Sequence, residues 1–336
     1  RKRNSKNNFN GCGFFLPMGM RYLVSQSDFI SLLQFLLTQK HVTEVLSGVE
    51  KKNRYSITPE FVSDPAQLAT FPLSQLLVYG YSRTDSASNT LLHTKKALTT
   101  KVAVVARACD VRAMVELEKK QQLLWENLVI FCFHDLGYIP EKDLTKFFKT
   151  SDFKDTDIAS ERLTPTNLIF KLKNKAIKQI PLGSELNITD NCGRCVQKSH
   201  PLADFLIGTY GLPVDSDNYV ITPQSALAQK LIDTMQWQNK AIDEAFNQTY
   251  EKVASEVLAK CQERREKEIN AFDSNPDRFD LLVKCTACGM CVRSCPVCYC
   301  NTCNLLDEVK AKRMDRMMFL TTRFAHISDT CIECGR

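Results

Sequence analysis

The stretch KVAVVARACDVRAMVELEKKQQLLWENLVIFCFH, residues 101–134, decides the fold of the central part of the chain. Its two ends, 101–107 and 128–134, are continuous apolar runs, which is typical of strands buried on both faces. Between them, Val111, Met114 and Val115 recur at helical spacing. A strand, a helix and a second strand in this order predict a β-α-β unit, and therefore a parallel sheet covered by helices.

The regions on either side of this unit have different patterns. Residues 20 to about 140 alternate between helix-like and strand-like segments. Residues 166–190 predict two or three shorter strands with a turn at 181–183. A helical pattern is predicted from Thr222 to about Phe272, and the turn-rich segment 270–280 predicts a linker before a block of cysteines.

Composition restricts the class of protein. The chain has 336 residues, 44% hydrophobic and 24% charged, with a net charge of +6. Its basic residues are interleaved with acidic ones, which argues against a nucleic-acid binder. It has no run of eighteen apolar residues, so no membrane span is predicted. Because the sequence begins without Met, we expect the natural chain to start earlier.

The fifteen cysteines are concentrated near the carboxyl end, where nine of them lie between Cys285 and Cys334. A disulfide scaffold is typical of short secreted chains with an even number of cysteines. The odd number and the long chain favour thiolate metal ligands in a reducing cytoplasm instead.

The strongest motif is C-x2-C-x2-C-x3-C-P, formed by Cys285, Cys288, Cys291, Cys295 and Pro296. This is the bacterial ferredoxin spacing, in which three thiolates surround one cubane and the fourth ligates its neighbour. A zinc site needs only paired cysteines and would leave the triplet unexplained. The spacing predicts [4Fe-4S] binding.

A second copy begins at Cys331 and Cys334, and we expect its remaining cysteines beyond residue 336. Between the two motifs, residues 304–326 have apolar residues at roughly helical spacing, which predicts a helix under the cluster loops. Its Met side chains are interpreted as core rather than as cofactor contacts.

Three further cysteines, Cys298, Cys300 and Cys303, exceed what a ferredoxin fold needs. Extra cluster ligands and buried apolar cysteines are equally open interpretations. Cys12 and Cys261 have no role that the sequence indicates.

An upstream group of four cysteines comes from three segments. Cys109 starts the predicted helix, where the helix dipole favours a thiolate. Cys132 lies in the next strand, and Cys192 and Cys195 form a C-x2-C. The residues alone leave two interpretations open: one more [4Fe-4S] site, or cysteines that are simply buried.

The segments 105–122, 127–135 and 191–211 resemble the FrhB/FdhB family, the β subunits of coenzyme F420-reducing hydrogenase and of formate dehydrogenase. The matching positions are Cys109, Cys132, Cys192, Cys195, Ala203, Asp204 and Gly208. The string CPVCYC at 295–300 also matches family members that carry a dicluster tail. Ala108 departs from the Pro that is usual before the first cysteine.

The resemblance implies two to three [4Fe-4S] clusters, with Cys109, Cys132, Cys192 and Cys195 as ligands of one, together with FAD. No G-x-G-x-x-G or P-loop sequence supports a standard nucleotide fold. Since ligands of open α/β sheets gather beyond the strand carboxyl ends, the predicted flavin contacts are Arg107, Arg112, His134 and Gly137. His134 has an alternative interpretation, a histidine held at the strand end by a backbone hydrogen bond.

The expected architecture is an α/β domain with a mixed or parallel sheet of flavin-binding type over 1–220. A helical connector over 221–280 and a ferredoxin-like dicluster domain over 281–336 would follow it. The predicted function is a cytoplasmic oxidoreductase subunit, linked to F420 or to formate, that moves electrons between clusters and FAD. Its expected partners are other subunits, of formate dehydrogenase, hydrogenase or heterodisulfide-reductase type, and a soluble electron carrier. The alternative is a cluster-only relay without flavin. An iron–sulfur regulator is a weaker option, because neither a helix-turn-helix nor a basic stripe is present.

Overall fold

The computed structural model describes residues 20–81, 86–280, 284–300 and 302–334. Cys12 lies outside these ranges. Ten strands lie within them: β1 Tyr22–Ser25, β2 Glu44–Glu50, β3 Ile57–Val62, β4 Val102–Ala106, β5 Leu128–Phe133, β6 Ile158–Leu163, β7 Asn167–Leu172, β8 Ile177–Pro181, β9 Phe205–Gly208 and β10 Asn218–Pro223.

The same ranges contain twelve α-helices and four 3₁₀ helices. The α-helices are α1 Gln26–Thr38, α2 Leu73–Val78, α3 Ala87–Thr94, α4 Lys96–Thr99, α5 Ala108–Lys119, α6 Glu141–Thr150, α7 Asp190–Gly193, α8 Ala226–Thr234, α9 Glu244–Ser274, α10 Met290–Arg293, α11 Asn304–Lys310 and α12 Arg316–Ile327. The 3₁₀ helices are Pro65–Thr70, Trp125–Asn127, Asp155–Asp157 and Trp237–Lys240.

A mixed seven-stranded sheet is the centre of the fold, in the order β1-β10-β9-β5-β4-β2-β3. The four strands β2, β4, β5 and β9 pair in parallel, and the strands at both ends pair antiparallel. The predicted β-α-β unit is β4-α5-β5, with Ala106 opposite Cys132 at the carboxyl ends of the two strands. The structure therefore confirms the α/β class and the parallel sheet.

Aromatic side chains pack against the sheet, which explains why the sequences of these strands are continuous apolar runs. The Phe131 and Phe205 rings stack 4.7 Å apart on adjacent strands, and Phe29 of α1 meets Phe131 edge-on at 5.4 Å. All three side chains are fully buried. Helices cover both faces of the parallel strands, so neither face carries polar residues at alternate positions.

A second sheet of three antiparallel strands, β6-β7-β8, confirms the short strands predicted over 166–190. It packs beside the carboxyl ends of the main strands. A cavity described below lies between the two sheets.

Two helical predictions need correction. The helix predicted from Thr222 starts later, because Thr222 belongs to β10, and α8 begins only at Ala226 with Ser225 as its N-cap. The helix predicted over 304–326 is two helices. Lys312 has a left-handed φ of +56°, which ends the first, and the Asp315 side chain accepts from Met318 N to start the second.

The carboxyl-terminal residues have a small core of their own, formed by Val292, Leu305 and Phe319. This core is separate from the large apolar cluster of the sheet. The division into three domains stays a proposal. Among the helices of the described residues, none has the length and apolarity needed to cross a bilayer.

Candidate functional site

The loop that follows β5 is fixed by a buried arginine. Arg107, directly after β4, is 4% exposed and donates to Asp135 Oδ1 at 2.5 Å, to the Gly137 carbonyl at 3.0 Å and to the Leu77 carbonyl at 3.2 Å. Burial alone would raise the pKa of Asp135, but the charges of Arg107 and Lys198 outweigh it and hold that pKa below its usual value. The hydrogen bonds of the guanidinium group therefore hold the loop in place.

Gly137 allows the same loop to approach the C-x2-C segment. Its φ is +124°, and a Cβ atom at this position would lie 2.8 Å from Cys192 Cβ and closer still to Ile188. Lys198 joins the two segments from the other side, since its Nζ donates to the Cys192 carbonyl at 2.7 Å and to the Leu136 carbonyl at 3.3 Å. Only glycine suits this position, for conformation as well as for space.

Cysteines from distant parts of the chain meet beside this loop. Cys109, Cys192 and Cys195 line a small cavity of about 20 Å³ together with Cys334, and we call this the thiol cavity. Cys132, at the carboxyl end of β5, is fully buried and does not line it. Cys132 is close enough for the charge of Cys109 to contribute to the raised pKa of its thiol, for which burial is the main cause. The structure thus brings together three of the four predicted ligands and keeps the fourth nearby.

The sequence did not predict that Cys334 lies at the thiol cavity. The segment 331–334 lies against α5, where Arg112 Nη1 donates to the Ile332 carbonyl at 2.7 Å. Arg265 of α9 pairs with Glu333 at 2.7 Å. The spacing of Cys331 and Cys334 indicates their chemistry, but it carries no information about a contact with residues more than 200 positions earlier.

Charged groups of both signs line the thiol cavity: Arg112 and Lys198 face it together with Asp135 and Glu333. Burial and the charge of Asp135 raise the pKa of the Cys192 thiol, while the positive charges of Arg107 and Lys198 act in the opposite direction. Basic groups beside buried thiols stabilise the anionic, metal-bound form. Arg112 lines this cavity, and its predicted contact with a flavin stays a prediction.

A cavity of about 390 Å³ opens on the other side of the loop. We call it the His134 cavity. It is lined by the start of α1, the loop after β5, strands β6 and β7, and the segment 214–219. Two buried charged residues, Glu161 and Arg162, form part of its wall. Glu161 is paired with Arg54 at 2.7 Å, whereas Arg162 Nε and Nη1 have no hydrogen-bond partner among the described residues.

A buried guanidinium group with two unpartnered nitrogens is costly unless a ligand satisfies it. Arg162 Nη2 donates to the carbonyls of Pro213 and Val214, which fixes the plane of the group. Ser25 and Ser27, at the amino end of the thirteen-residue helix α1, line the same cavity. The site therefore suits a ligand that brings negative charge or several acceptor atoms.

His134 reaches this cavity from the end of β5. Its Nδ1 lies 2.8 Å from the Tyr250 hydroxyl, and the Tyr210 ring lies 4.5 Å away. Burial, with the charge of Arg21 as the second cause, lowers the pKa of His134 to about 4. The imidazole is therefore neutral at pH 7. Of the four residues predicted to contact a flavin, His134 lines this cavity and Arg107, Arg112 and Gly137 do not.

A larger cavity of about 1000 Å³ lies beyond the same loop. Four tyrosines line it: Tyr55, Tyr79, Tyr81 and Tyr138. The hydroxyl of Tyr79 is buried and has no partner among the described residues. Asn191 lines both this tyrosine cavity and the thiol cavity, so the two spaces are adjacent.

The ferredoxin-type motif forms a loop around α10. Gly289 precedes the helix with a φ of +75°, a left-handed conformation that glycine adopts without strain. The Met290 backbone N–H and the Thr286 side chain lower the pKa of the Cys288 thiol. Cys288 and Cys291 are exposed, and Cys285 is half-buried.

The last four cysteines of the block share a different cavity. Cys295, Cys298, Cys300 and Cys303 line a space of about 420 Å³ next to α3. Cys261, for which the sequence indicated no role, is buried on α9 within the main core. None of the fourteen cysteines in the described ranges is in a disulfide. No three His, Cys, Asp or Glu side chains in those ranges converge at the spacing of a single metal ion.

Comparison with known proteins follows this geometry. Residues 99–245, which contain β4-α5-β5 and the C-x2-C, match the family described as the carboxyl-terminal part of the coenzyme F420 hydrogenase/dehydrogenase β subunit. The F420-dependent formate dehydrogenase subunit β of Methanocaldococcus jannaschii is 24% identical over 91% of this chain and 82% of its own length. The F420-dependent formate dehydrogenase 1 subunit β of Methanococcus maripaludis is 26% identical over 68% of this chain and 63% of its own length.

The fold has a counterpart among solved structures. A chain of the F420-reducing [NiFe] hydrogenase complex from Methanosarcina barkeri superposes with a TM-score of 0.58, covering 74% of this chain and 92% of that one, at 11% identity. At this identity the superposition shows similarity of fold alone. The matched segment and the two formate dehydrogenase relatives agree: the central part of the chain, residues 99–245, is similar to the FrhB/FdhB family of β subunits.

Proposed function

We propose that the chain is an iron–sulfur flavoprotein subunit that moves electrons between [4Fe-4S] clusters and FAD within a larger oxidoreductase. The observation that carries this proposal is the position of Asp135. This residue lines both the thiol cavity and the His134 cavity, and Arg107 holds it rigidly. A cluster on one side of the loop and a flavin on the other would be separated by little more than that loop.

The thiols support the cluster half of the proposal. Cys109, Cys192 and Cys195, with Cys132 close behind, would hold one [4Fe-4S] cluster, and the ferredoxin motif would hold others. Such clusters accept and release single electrons. The positive side chains around the cysteines would favour the anionic cluster and influence its potential.

The His134 cavity supports the flavin half. Arg162, in the wall of the cavity and fixed by the carbonyls of Pro213 and Val214, would offset the negative charge of FAD, and Ser25 and Ser27 line the same space. Bound FAD supplies the exchange between one-electron and two-electron chemistry. Neutral His134, held through Nδ1 by Tyr250, would present Nε2 to the flavin as a hydrogen-bonding group.

The partners follow from the relatives. Those relatives are named as β subunits of F420-dependent formate dehydrogenase, so we propose that this chain also works within a complex and serves a soluble two-electron carrier. Coenzyme F420 is the first carrier to test. The tyrosine cavity offers stacking surfaces for a planar ring system beside the thiol cavity.

The test is the flavin content of the anaerobically purified chain, with and without Arg162. We expect about one flavin per chain in the parent protein, and a large loss of flavin without loss of iron in Arg162→Ala. Arg313→Ala is the matched control, since that guanidinium is exposed and paired with Glu308, and it should leave both cofactors unchanged. Iron without any flavin in the parent protein would favour the cluster-only relay instead.

A further inference from the structure

The four cysteines at 295, 298, 300 and 303 face one common cavity. They lie within nine residues of sequence, in the pattern C-x2-C-x-C-x2-C. The other three cysteines of the ferredoxin motif, at 285, 288 and 291, do not line this cavity. Cys295, the cysteine that this spacing directs to a neighbouring cluster, therefore faces the three cysteines that follow it.

In the ordinary two-cluster arrangement, the fourth cysteine of one motif joins a cluster whose other ligands come from the second motif. The second motif of this chain lies elsewhere. Residues 331–334 are held on α5 and α9 by Arg112 and Arg265, and Cys334 lines the thiol cavity. Neither Cys331 nor Cys334 lines the cavity of Cys295. Among the described cysteines, those that share a cavity with Cys295 are Cys298, Cys300 and Cys303.

Four cysteines around one space can hold either a single Zn²⁺ ion or a polynuclear cluster. The space that they line here, about 420 Å³, is wider than one ion fills. The iron–sulfur chemistry proposed above favours the cluster, and the iron and sulfide analysis below distinguishes the two.

The charges around the cavity suit an anionic cluster. Arg293 and Lys310 line it with one carboxylate, Asp307, so the lining has a net positive charge. Arg323 is 7% exposed, donates to the Cys291 carbonyl at 3.0 Å and places its positive charge beside the Cys295 sulfur. Four thiolates on an iron–sulfur core give a net negative charge, which these groups would offset.

We propose that Cys295, Cys298, Cys300 and Cys303 form a self-contained [4Fe-4S] site, built from one short segment and independent of the second ferredoxin motif. The site lies where this segment meets α3, with Asn89 and His93 on the opposite wall. The proposal rests on the iron–sulfur chemistry proposed above, but it adds a cluster that the ferredoxin arrangement does not contain.

A double variant and a single control variant of the full chain, both purified anaerobically, test this site. The measured quantities are iron and acid-labile sulfide per chain. Cys298→Ser with Cys300→Ser should remove about four irons and four sulfides. Cys261→Ser, at a buried cysteine that lines none of these cavities, should remove none. Unchanged iron in the double variant would overturn the proposal. If Cys288→Ser removes iron while the double variant does not, only this inference fails. If neither removes iron, the proposed function fails with it.

Alkylation of the unaltered protein gives a second test that does not depend on how a variant folds. Cys300 is exposed, so an unligated thiol there would react readily with iodoacetamide under native anaerobic conditions. We expect mass spectrometry to find Cys298, Cys300 and Cys303 protected in the iron-loaded protein and alkylated after the clusters are destroyed. Alkylation of Cys300 in the iron-loaded protein would contradict the assignment.

Discussion

The two cysteine-bearing regions of this molecule are built in opposite ways. The upstream group draws Cys109, Cys132, Cys192 and Cys195 from three separate segments, and the large sheet positions them. The carboxyl-terminal block has seven cysteines in nineteen residues, next to a core of only three buried apolar side chains. In the first region, the packing of the sheet positions the cysteines. In the second, we expect cluster binding to stabilise the fold.

This contrast has an energetic consequence. The sheet and the helices that cover it bury dozens of apolar side chains, so we expect this region to fold without a cofactor. In the carboxyl-terminal region, Val292, Leu305 and Phe319 each contribute about 1.5–3 kcal/mol on burial, which cannot offset the conformational entropy of the whole segment. Cluster binding would supply the difference, as structural metals do in other small domains.

The largest expected effect is therefore selective unfolding when iron is removed. After anaerobic chelation, we expect the amide protons of α11 and α12 to lose their protection against hydrogen exchange almost completely. Those of β4 and β5 should keep their protection, because a large apolar core stabilises these strands in addition to any cluster at Cys132. Exchange monitored by mass spectrometry checks this. Equal protection of α12 before and after iron removal would contradict the expected difference between the two regions.

The next effect concerns ion pairs in the two regions. Asp135→Ala leaves Arg107 buried without its partner, which we expect to cost about 3–5 kcal/mol of unfolding free energy. Glu308→Gln removes the partner of Arg313 in the exposed carboxyl-terminal region and should leave the unfolding free energy unchanged within error. Denaturant titration of both variants measures the difference. Equal small losses would show that Arg107 does not hold the loop as described.

A pair of glycine variants tests the contact between loop and cysteine. Gly137→Ala and Gly183→Ala both place a side chain at positive φ, at a cost of about 1–3 kcal/mol each. Only Gly137 faces crowded atoms, which adds about 1–3 kcal/mol and displaces Cys192. We expect iron loss from the upstream site in Gly137→Ala alone. In Gly183→Ala, the new Cβ meets nothing within 4 Å. If this variant loses as much iron as Gly137→Ala, the close approach of Gly137 to Cys192 does not position the site.

The smallest effect is a pH dependence that belongs to the sheet region. His134 has a folded-state pKa lowered to about 4 from an ordinary value of 6.5, so its contribution to stability is present above pH 6.5. It is lost as the pH falls through 4, by up to about 3 kcal/mol. The unfolding free energy of His134→Gln should fall less over this range than that of the parent. The exposed His326→Gln should follow the parent curve, and identical curves for all three would contradict the burial of His134.

How far the sequence leads depends on the range of the interaction concerned. The apolar periodicity of residues 101–134 was enough to predict β4-α5-β5, because it reflects local packing against the sheet. The ferredoxin spacing likewise predicts its chemistry within a few residues. His134 was correctly expected near the edge where strands end, since β5 positions it directly.

What the sequence did not indicate are contacts between distant residues. Arg107 and Gly137 fix the loop between the cavities through Asp135 and Cys192, and their predicted contact with a flavin stays a prediction. The approach of Cys334 to Cys109 bridges 225 positions in the chain, and no local pattern encodes it. Arg162 had no motif of its own. Only its burial with two unpartnered nitrogens marks it as a binding residue.

One cofactor inventory tests the central claim most directly: iron, acid-labile sulfide, zinc and released flavin per chain, measured on anaerobically purified protein. We predict more than eight irons with matching sulfide, about one flavin and a brown protein with a flavin absorption band. A colourless protein, or one whose only metal is zinc, would contradict the account.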